Sequence, residues 1–73
     1  METIGHRAVK EIKKRAMQNG ISTSKEAAKL FITSTMIAAW KNNVNPSAYY
    51  LQQMYLAGYD VIYILTGEKE NGQ

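Results

Sequence analysis

Apolar residues recur every three or four positions through most of this chain, which is the spacing of one face of an α-helix. Over residues 4–19 they fall on one side while lysines and arginines take the others, and this predicts helix 1. Gly20 follows, and glycine commonly ends a helix in the left-handed conformation. No segment alternates apolar and polar residues as a half-buried strand does. The pattern therefore predicts an all-α protein.

Helix 2 is predicted over residues 24–31. The four residues Thr-Ser-Lys-Glu at its start are typical of a capping box. In that arrangement the Thr23 hydroxyl accepts from an N–H of the first turn, and Glu26 reaches back to the cap. The apolar positions of this helix, which we expect to be buried, are Ala27, Leu30 and Phe31.

Helix 3 is predicted over residues 33–42, with the Thr33 hydroxyl as its cap. At roughly 100° per residue, the arc centred on Ile37 holds Thr33, Met36, Trp40 and Val44, and we expect it to be buried. The opposite arc carries small, uncharged side chains: Ser34, Thr35, Ala38, Ala39 and Asn42. Solvated helix faces normally carry long charged residues, so a requirement other than solubility is indicated for this face.

Helix 4 is predicted over residues 47–57, because Pro46 cannot extend the helix before it. Its buried stripe should consist of Tyr50, Leu51, Met54 and Tyr55. Gly58 ends the helix, and we expect Tyr59 to fold back on Met54 in the hydrophobic contact of a Schellman ending.

Helix 5 is short, with Asp60 as its cap and Gly67 as its left-handed end. The pattern as a whole predicts a single compact five-helix domain over residues 1–67. Residues 68–73 are polar, and we expect them to form a disordered tail.

Charge is distributed unevenly around the net value of +3. Residues 1–20 carry five basic and two acidic side chains, whereas residues 46–73 carry one basic and three acidic ones. The basic surface of helix 1 consists of Lys10, Lys13 and Lys14. A fold that is basic on one side suits a polyanionic partner such as a nucleic acid.

The chain lacks the residues that several kinds of catalytic and metal-binding site require. The chain has no cysteine, which removes disulfides, thiolate nucleophiles and the usual zinc sites. Its one histidine, His6, has no partner at ligand spacing, and we interpret it as a solvated residue of helix 1. Without paired carboxylates or a phosphate-binding glycine loop, we expect no enzyme, metal, cofactor or small-molecule substrate. No apolar run approaches the roughly 20 residues of a membrane span, and no signal-peptide core is present, so we expect no membrane association.

Three stretches carry a resemblance to a known family: "EAAKLFITSTMIAAWKNN", the Asn-Pro pair before helix 4, and the closing "GYDVIYILTG". Residues 24–68 resemble the Cro and phage-repressor (XRE-type) helix-turn-helix family. The resemblance implies a transcriptional regulator of phage or prophage type that binds double-stranded DNA, with helix 3 as recognition helix in the major groove. It further implies a cytoplasmic, nucleoid-associated location.

The resemblance also assigns the DNA contacts. Serine and threonine can donate to or accept from base edges, and alanine and threonine methyl groups can pack on thymine methyls. The base-contacting residues would be Ser34, Thr35, Ala38 and Ala39. The backbone-contacting residues would be Thr33, Lys41, Asn42 and Asn43, and Tyr49, which lies off the core spacing, is a further candidate.

The chain departs from the family at two glycine positions. Phe31 stands in the turn between helices 2 and 3, and Asn43 stands after the recognition helix. Glycine serves at such positions because it adopts a positive φ without a steric penalty. Asparagine is the next best residue there, whereas phenylalanine is a poor one. At Phe31 the turn must either hold a side chain at a positive φ or adjust its geometry, whereas Asn43 is expected to adopt the left-handed conformation.

Two further expectations concern partners. A helix-turn-helix monomer covers one half-site, so we predict a weak homodimer through helix 5, with Ile62 and Ile64 as candidates. The neutral face of helix 3 could equally pack against a protein. A protein-interaction module, such as an antirepressor or the partner of another regulator, is therefore the alternative function.

Overall fold

Five α-helices joined by short turns form the fold of this protein. The structure, a computed structural model, describes residues 2–69. Within that range all regular structure is helical: α1 (Ile4–Asn19), α2 (Thr23–Ala28), α3 (Ser34–Lys41), α4 (Ala48–Leu56) and α5 (Val61–Thr66). The predicted all-α class with five helices is confirmed, and the globule measures 30 × 25 × 21 Å.

The other helices assemble around α1, which packs against α2, α3 and α5. Its bounds match the prediction, and its buried side consists of Gly5, Ala8, Val9, Ile12 and Ala16. The Thr3 hydroxyl caps α1 by accepting from the His6 N–H at 3.1 Å, and His6 Nδ1 accepts from the Thr3 N–H at 3.4 Å. His6, interpreted as a solvated residue of helix 1, lies in α1 and is half-buried, and its ring completes this cap.

Gly5 brings the backbone of α1 against the C-terminal end of α3. A Cβ atom at this position would lie 2.5 Å from the Val44 carbonyl oxygen and 2.6 Å from that of Trp40. Both neighbours are main-chain atoms that cannot move aside alone, so no larger residue fits without displacing α3. The Gly5 N–H also donates to Asn45 Oδ1 at 3.3 Å. The sequence signal for this contact was a glycine inside a helical pattern.

The start of α2 differs from the predicted capping box. Ser22, one residue before the predicted Thr23, is the N-cap, and its hydroxyl accepts from the Lys25 N–H at 3.1 Å. Glu26 does not return to the cap, because its carboxylate is buried among partners from other parts of the fold. Tertiary hydrogen bonds have replaced a local one.

The end of α2 is the largest departure from the prediction. The helix stops at Ala28, and although Ala27 and Leu30 are buried as expected, Phe31 is 77% exposed. The predicted burial of Phe31 is therefore wrong. Once the chain has left the helix, residue 31 no longer falls on its apolar side. Phe31 has a φ of 61°, so the turn holds its side chain at a positive φ and does not adjust its geometry.

Each helix is followed by one residue with a positive φ, and these five are the only such residues in the described chain: Gly20, Phe31, Asn43, Gly58 and Gly67. After α1, α2, α3 and α4, the residue that follows the positive-φ residue donates its N–H to the carbonyl oxygen five residues before it, at 2.9–3.1 Å. This is the bond of a Schellman ending. Asn43, with a φ of 73°, confirms its expected conformation. Helix ends in this chain are therefore set by local backbone geometry.

Helix caps and core were mostly predicted correctly. The Thr33 hydroxyl accepts from the Met36 N–H at 3.1 Å, and Asp60 accepts from the Tyr63 N–H at 3.0 Å. Tyr59 and Met54 share the buried core, as expected. Three further residues expected to be buried are exposed instead: Thr33, Val44 at 52% and Tyr55 at 68%. Thr33 precedes the first residue of α3 and Val44 follows its left-handed end, so the helical wheel does not apply to them. Tyr55 lies at the margin of the apolar arc of α4.

Two arginines of α1 bind the ends of other helices. Arg7 Nε donates to the Ile64 carbonyl oxygen at 2.8 Å, near the end of α5. Arg15 donates to the Ala57 carbonyl oxygen at 2.6 Å, at the end of α4, and its guanidinium lies 3.7 Å from the Tyr59 ring centroid. Cations at helix C-termini satisfy free carbonyl groups and oppose the negative end of the helix dipole.

Glu26 is the one buried charged residue in the described part of the chain. Its carboxylate accepts from Asn19 Nδ2 at 3.0 Å, from the Tyr59 hydroxyl at 3.3 Å and from Lys29 Nζ at 3.4 Å. The Asn19 bond and the nearby Lys29 charge hold the pKa of Glu26 below its usual 4.5, against the effect of burial. Burial, with the Glu26 charge, raises the pKa of Tyr59 to about 12. This network joins α1, α2 and the turn before α5.

The chain beyond α5 was expected to be a disordered tail. Lys69 lies with its ammonium 4.1 Å from the Tyr63 ring centroid and 3.8 Å from the Glu11 carboxylate. Residues 70–73 of the predicted tail lie outside the described residues.

Phe31→Gly should stabilise the domain. Glycine removes the left-handed penalty of about 1 kcal/mol, and the exposed ring contributes little packing, so the melting temperature should rise by about 4–8 °C. Phe31→Ala is the matched control, because alanine keeps the Cβ atom and hence the penalty. Equal melting temperatures for the two variants would show that backbone strain is not the cause.

Glu26→Gln should make stability less dependent on pH. The folded-state pKa of Glu26 is lowered, so its contribution is present above about pH 4.5 and is lost as the pH falls through the folded value. Urea denaturation at pH 7 should show a loss of about 1–3 kcal/mol in the variant. The gap to the wild type should close towards pH 3. Glu68→Gln, at an exposed position, should not change the pH profile, and parallel profiles for Glu26→Gln and the wild type would contradict the assignment.

Candidate nucleic-acid interface

The outer face of α3 is small, uncharged and open to solvent. Ser34, Thr35 and Ala38 are exposed, as the helical pattern predicted. Ala39 differs from them, because it is half-buried and packs against the core. The exposed strip on α3 is therefore narrower by one residue than the set derived from the sequence. Its hydroxyl and methyl groups are the kind that read base edges.

The C-terminal end of α3 carries three exposed polar side chains, Lys41, Asn42 and Asn43. Asn42 Nδ2 donates to the Ala38 carbonyl oxygen at 3.0 Å, and His6 Nε2 lies 2.8 Å from the Lys41 carbonyl oxygen. Because His6 Nδ1 accepts from the Thr3 N–H, we assign the ring proton to Nε2, which donates to Lys41. The end of α3 is thus anchored to the first turn of α1.

Tyr49 lies in the first turn of α4 and is 55% exposed, in agreement with its predicted exclusion from the core. Its ring meets Tyr50 edge to face at a centroid distance of 5.1 Å, and Tyr50 meets Trp40 in the same way at 6.1 Å. Such aromatic pairs are favourable beyond the area they bury. Tyr49 is therefore connected through rings to the buried side of α3.

A groove of about 710 Å³ runs between α1 and α3. Its apolar floor consists of Val9, Ile37 and Ala38, and its rim carries the cationic side chains Lys10, Lys13 and Lys41. Hydroxyl groups line it at Thr23, Ser24 and Ser34. Sequence reasoning did not find this groove, although His6, Lys10 and Lys13 share one stripe of α1 at the spacing i, i+4 and i+7.

The structure separates the three lysines of α1 that formed one basic surface in the sequence. Lys10 donates to the Glu2 carboxylate, which raises its pKa, and lies 5.7 Å from the Tyr63 ring centroid. Lys14 lines a small cavity near Tyr59 on the side of the α4–α5 turn. Of these three lysines of α1, Lys13 alone lines the groove without an ion pair within residues 2–69.

No protein-family model, curated protein or solved structure matches this chain significantly. Within residues 2–69, no helix combines the length and the apolar character needed to cross a membrane. The same residues contain no group of three or more histidine, cysteine or acidic side chains arranged to hold a metal ion. The site is therefore interpreted from its own geometry.

Proposed function

We propose that this protein is a sequence-specific transcriptional regulator that binds double-stranded DNA with α3 in the major groove. The observation that carries the proposal is the exposed, uncharged strip of Ser34, Thr35 and Ala38 beside a groove with a cationic rim. Small side chains let a helix approach base edges closely, while cations beside it neutralise phosphates. Base contacts and backbone affinity are then supplied by neighbouring parts of one surface.

Backbone geometry supports the proposal that α2, the turn and α3 form a helix-turn-helix. Phage repressors usually have glycine, the residue that best adopts a positive φ, at the positions of Phe31 and Asn43. In this chain φ is 61° at Phe31 and 73° at Asn43. A phenylalanine rarely adopts such a φ without a steric requirement. A positive φ at this position supports the proposal that the turn is the one the family builds with glycine.

The proposed complex distributes contacts along α3. Ser34 and Thr35 would exchange hydrogen bonds with base edges, and the Ala38 methyl would pack on a thymine methyl. Ala39, half-buried against the core, is left out of the base-contacting set and holds α3 in place. The residues proposed to contact the sugar-phosphate backbone are Thr33, Lys41, Asn42, Asn43 and Tyr49.

A weak homodimer through α4 and α5 completes the proposal. A groove of about 800 Å³ lies between these helices, and three of the large side chains that line it are exposed: Tyr55, Ile62 and Leu65. Apolar surface of this kind marks interaction sites. Of the two candidates from the sequence, Ile62 is 55% exposed, whereas Ile64 is fully buried and was predicted wrongly. Ile64 lies on the side of α5 that faces the core.

The same apolar surface favours the second candidate function, a protein-interaction module whose partner is another protein. In that case the isolated chain would form a stoichiometric complex with one partner and would not protect DNA from cleavage. Both functions use the same fold, so only binding measurements separate them.

DNA binding is tested by fluorescence anisotropy with duplexes from the region flanking the gene of this protein. The three cationic side chains that line the groove, Lys10, Lys13 and Lys41, should give a log-log salt slope of about −3. Thr35→Glu should weaken specific binding by more than about 30-fold, because it places a negative charge against base edges, while the melting temperature stays unchanged. Gln18→Glu, which adds the same charge on α1 far from α3, should have little effect. Absence of wild-type binding at low salt would exclude the proposed function.

Self-association is tested by sedimentation velocity from micromolar to millimolar concentration. Ile62→Lys should shift the equilibrium to monomer, because it places a charge in an apolar contact, while changing the free energy of unfolding by less than about 0.5 kcal/mol. Met17→Lys is the matched control at an exposed apolar residue of α1. A wild type that is monomeric throughout, with and without DNA, would rule out the dimer.

A further inference from the structure

We infer that α1 is a second wall of the DNA-binding surface and that the groove between α1 and α3 holds one sugar-phosphate strand, with the Lys13 ammonium on a phosphodiester. This inference rests on the proposed DNA-binding function. From the sequence, any of the three lysines on the basic surface of α1 could contact a phosphate, and the inference assigns this contact to Lys13.

The groove continues the base-reading strip without a break. Ser34, Ala38 and Lys41 are spaced i, i+4 and i+7, so they form one stripe of α3, and all three line the groove. Ser34 and Ala38 also belong to the exposed strip. A duplex that seats its base edges on this strip therefore brings its backbone into the groove.

The major groove is bordered by a strand on each side, and its width of about 12 Å accommodates one helix. Asn43 and Tyr49 are proposed to meet one of these strands, at the end of α3 and the start of α4. On the side of α3 that faces α1, the residues of the α1–α3 groove are in position to meet the other strand. Lys13 on α1 and Lys41 on α3 stand on opposite rims of that groove.

Charge assigns the contact to Lys13. Of the five cations in α1, Arg7 and Arg15 bind helix ends, Lys10 is paired with Glu2, and Lys14 lies on another side. Lys13 is exposed at the rim and has no hydrogen-bonded or ion-paired partner in the described part of the chain. A free ammonium binds a phosphate without first breaking an internal bond.

The chemistry of the groove fits a strand of DNA. Hydroxyl groups at Thr23 and Ser24 can donate to phosphate oxygens, as such side chains commonly do. The apolar floor of Val9, Ile37 and Ala38 matches the hydrocarbon edges of deoxyribose. A deep basic pocket for a small anion would instead surround its ligand with donors, and this groove is open.

Lys13→Gln and Lys14→Gln form a matched pair, with the same loss of charge at adjacent positions on different sides of α1. Against specific and non-specific duplexes alike, Lys13→Gln should lower affinity about three- to tenfold and reduce the salt slope by about 0.9. Lys14→Gln should leave the slope unchanged. Equal effects of the two variants would overturn the inference and leave the proposed function intact. Absence of wild-type DNA binding would overturn both.

A second measurement locates the strand directly. The chain has no cysteine, so Lys13→Cys and Lys14→Cys each provide one attachment point for an iron chelate that cleaves DNA nearby. The position-13 conjugate should cleave one strand at the border of the protected bases, whereas the position-14 conjugate should not. Cleavage from position 14 alone, or from neither position on bound DNA, would place α1 away from the backbone and refute the assignment.

Discussion

The close contact between the first turn of α1 and the C-terminal end of α3 is the constraint on which the rest of the structure depends. Gly5 allows the two backbones to touch, since a Cβ atom there would lie 2.5 Å from the Val44 carbonyl oxygen. The Gly5 N–H and the His6 ring then secure the contact through Asn45 and Lys41. Because protein interiors are close-packed, one methyl group at position 5 would shift α3, and with it the groove and the exposed strip.

The basic residues of α1 have different uses at different positions, since some bind other helices and others face solvent. Arg7 and Arg15, eight residues apart, satisfy carbonyl groups at the ends of α5 and α4. The delocalised guanidinium suits this use, because it donates in several directions from one plane. Lys13, with a compact charge on a flexible stem, stays at the solvent-facing groove. Net charge therefore overstates the cationic surface open to a polyanion, since two of these charges are used inside the fold.

Parts of the structure carry costs that its own packing does not offset. A domain of this size buries a limited core, so a left-handed phenylalanine with a solvent-exposed ring is a considerable penalty. Nothing in the structure explains why Phe31 stands at this position. The exposed apolar side chains of α4 and α5 likewise gain no stabilisation from burial within the monomer. They support the proposal of a partner surface there.

The sequence alone determined the features that depend on a few neighbouring residues. These include the bounds of α1, the caps at Thr33 and Asp60, and the left-handed conformation at Asn43, because caps and helix ends are local hydrogen-bonding problems. The exposed strip on α3 also followed, apart from Ala39, because helical periodicity decides which residues share a face.

Only the tertiary structure decided how charged and marginal residues are used. A helical wheel cannot show that Glu26 leaves its cap for Asn19 and Tyr59, or that α1 meets α3 at Gly5. It also cannot show that Ile64 faces the core while Tyr55 faces solvent. The physical reason is the same in each case. These outcomes depend on contacts between residues distant in sequence, and local pattern fixes which faces a helix offers but not what packs against them.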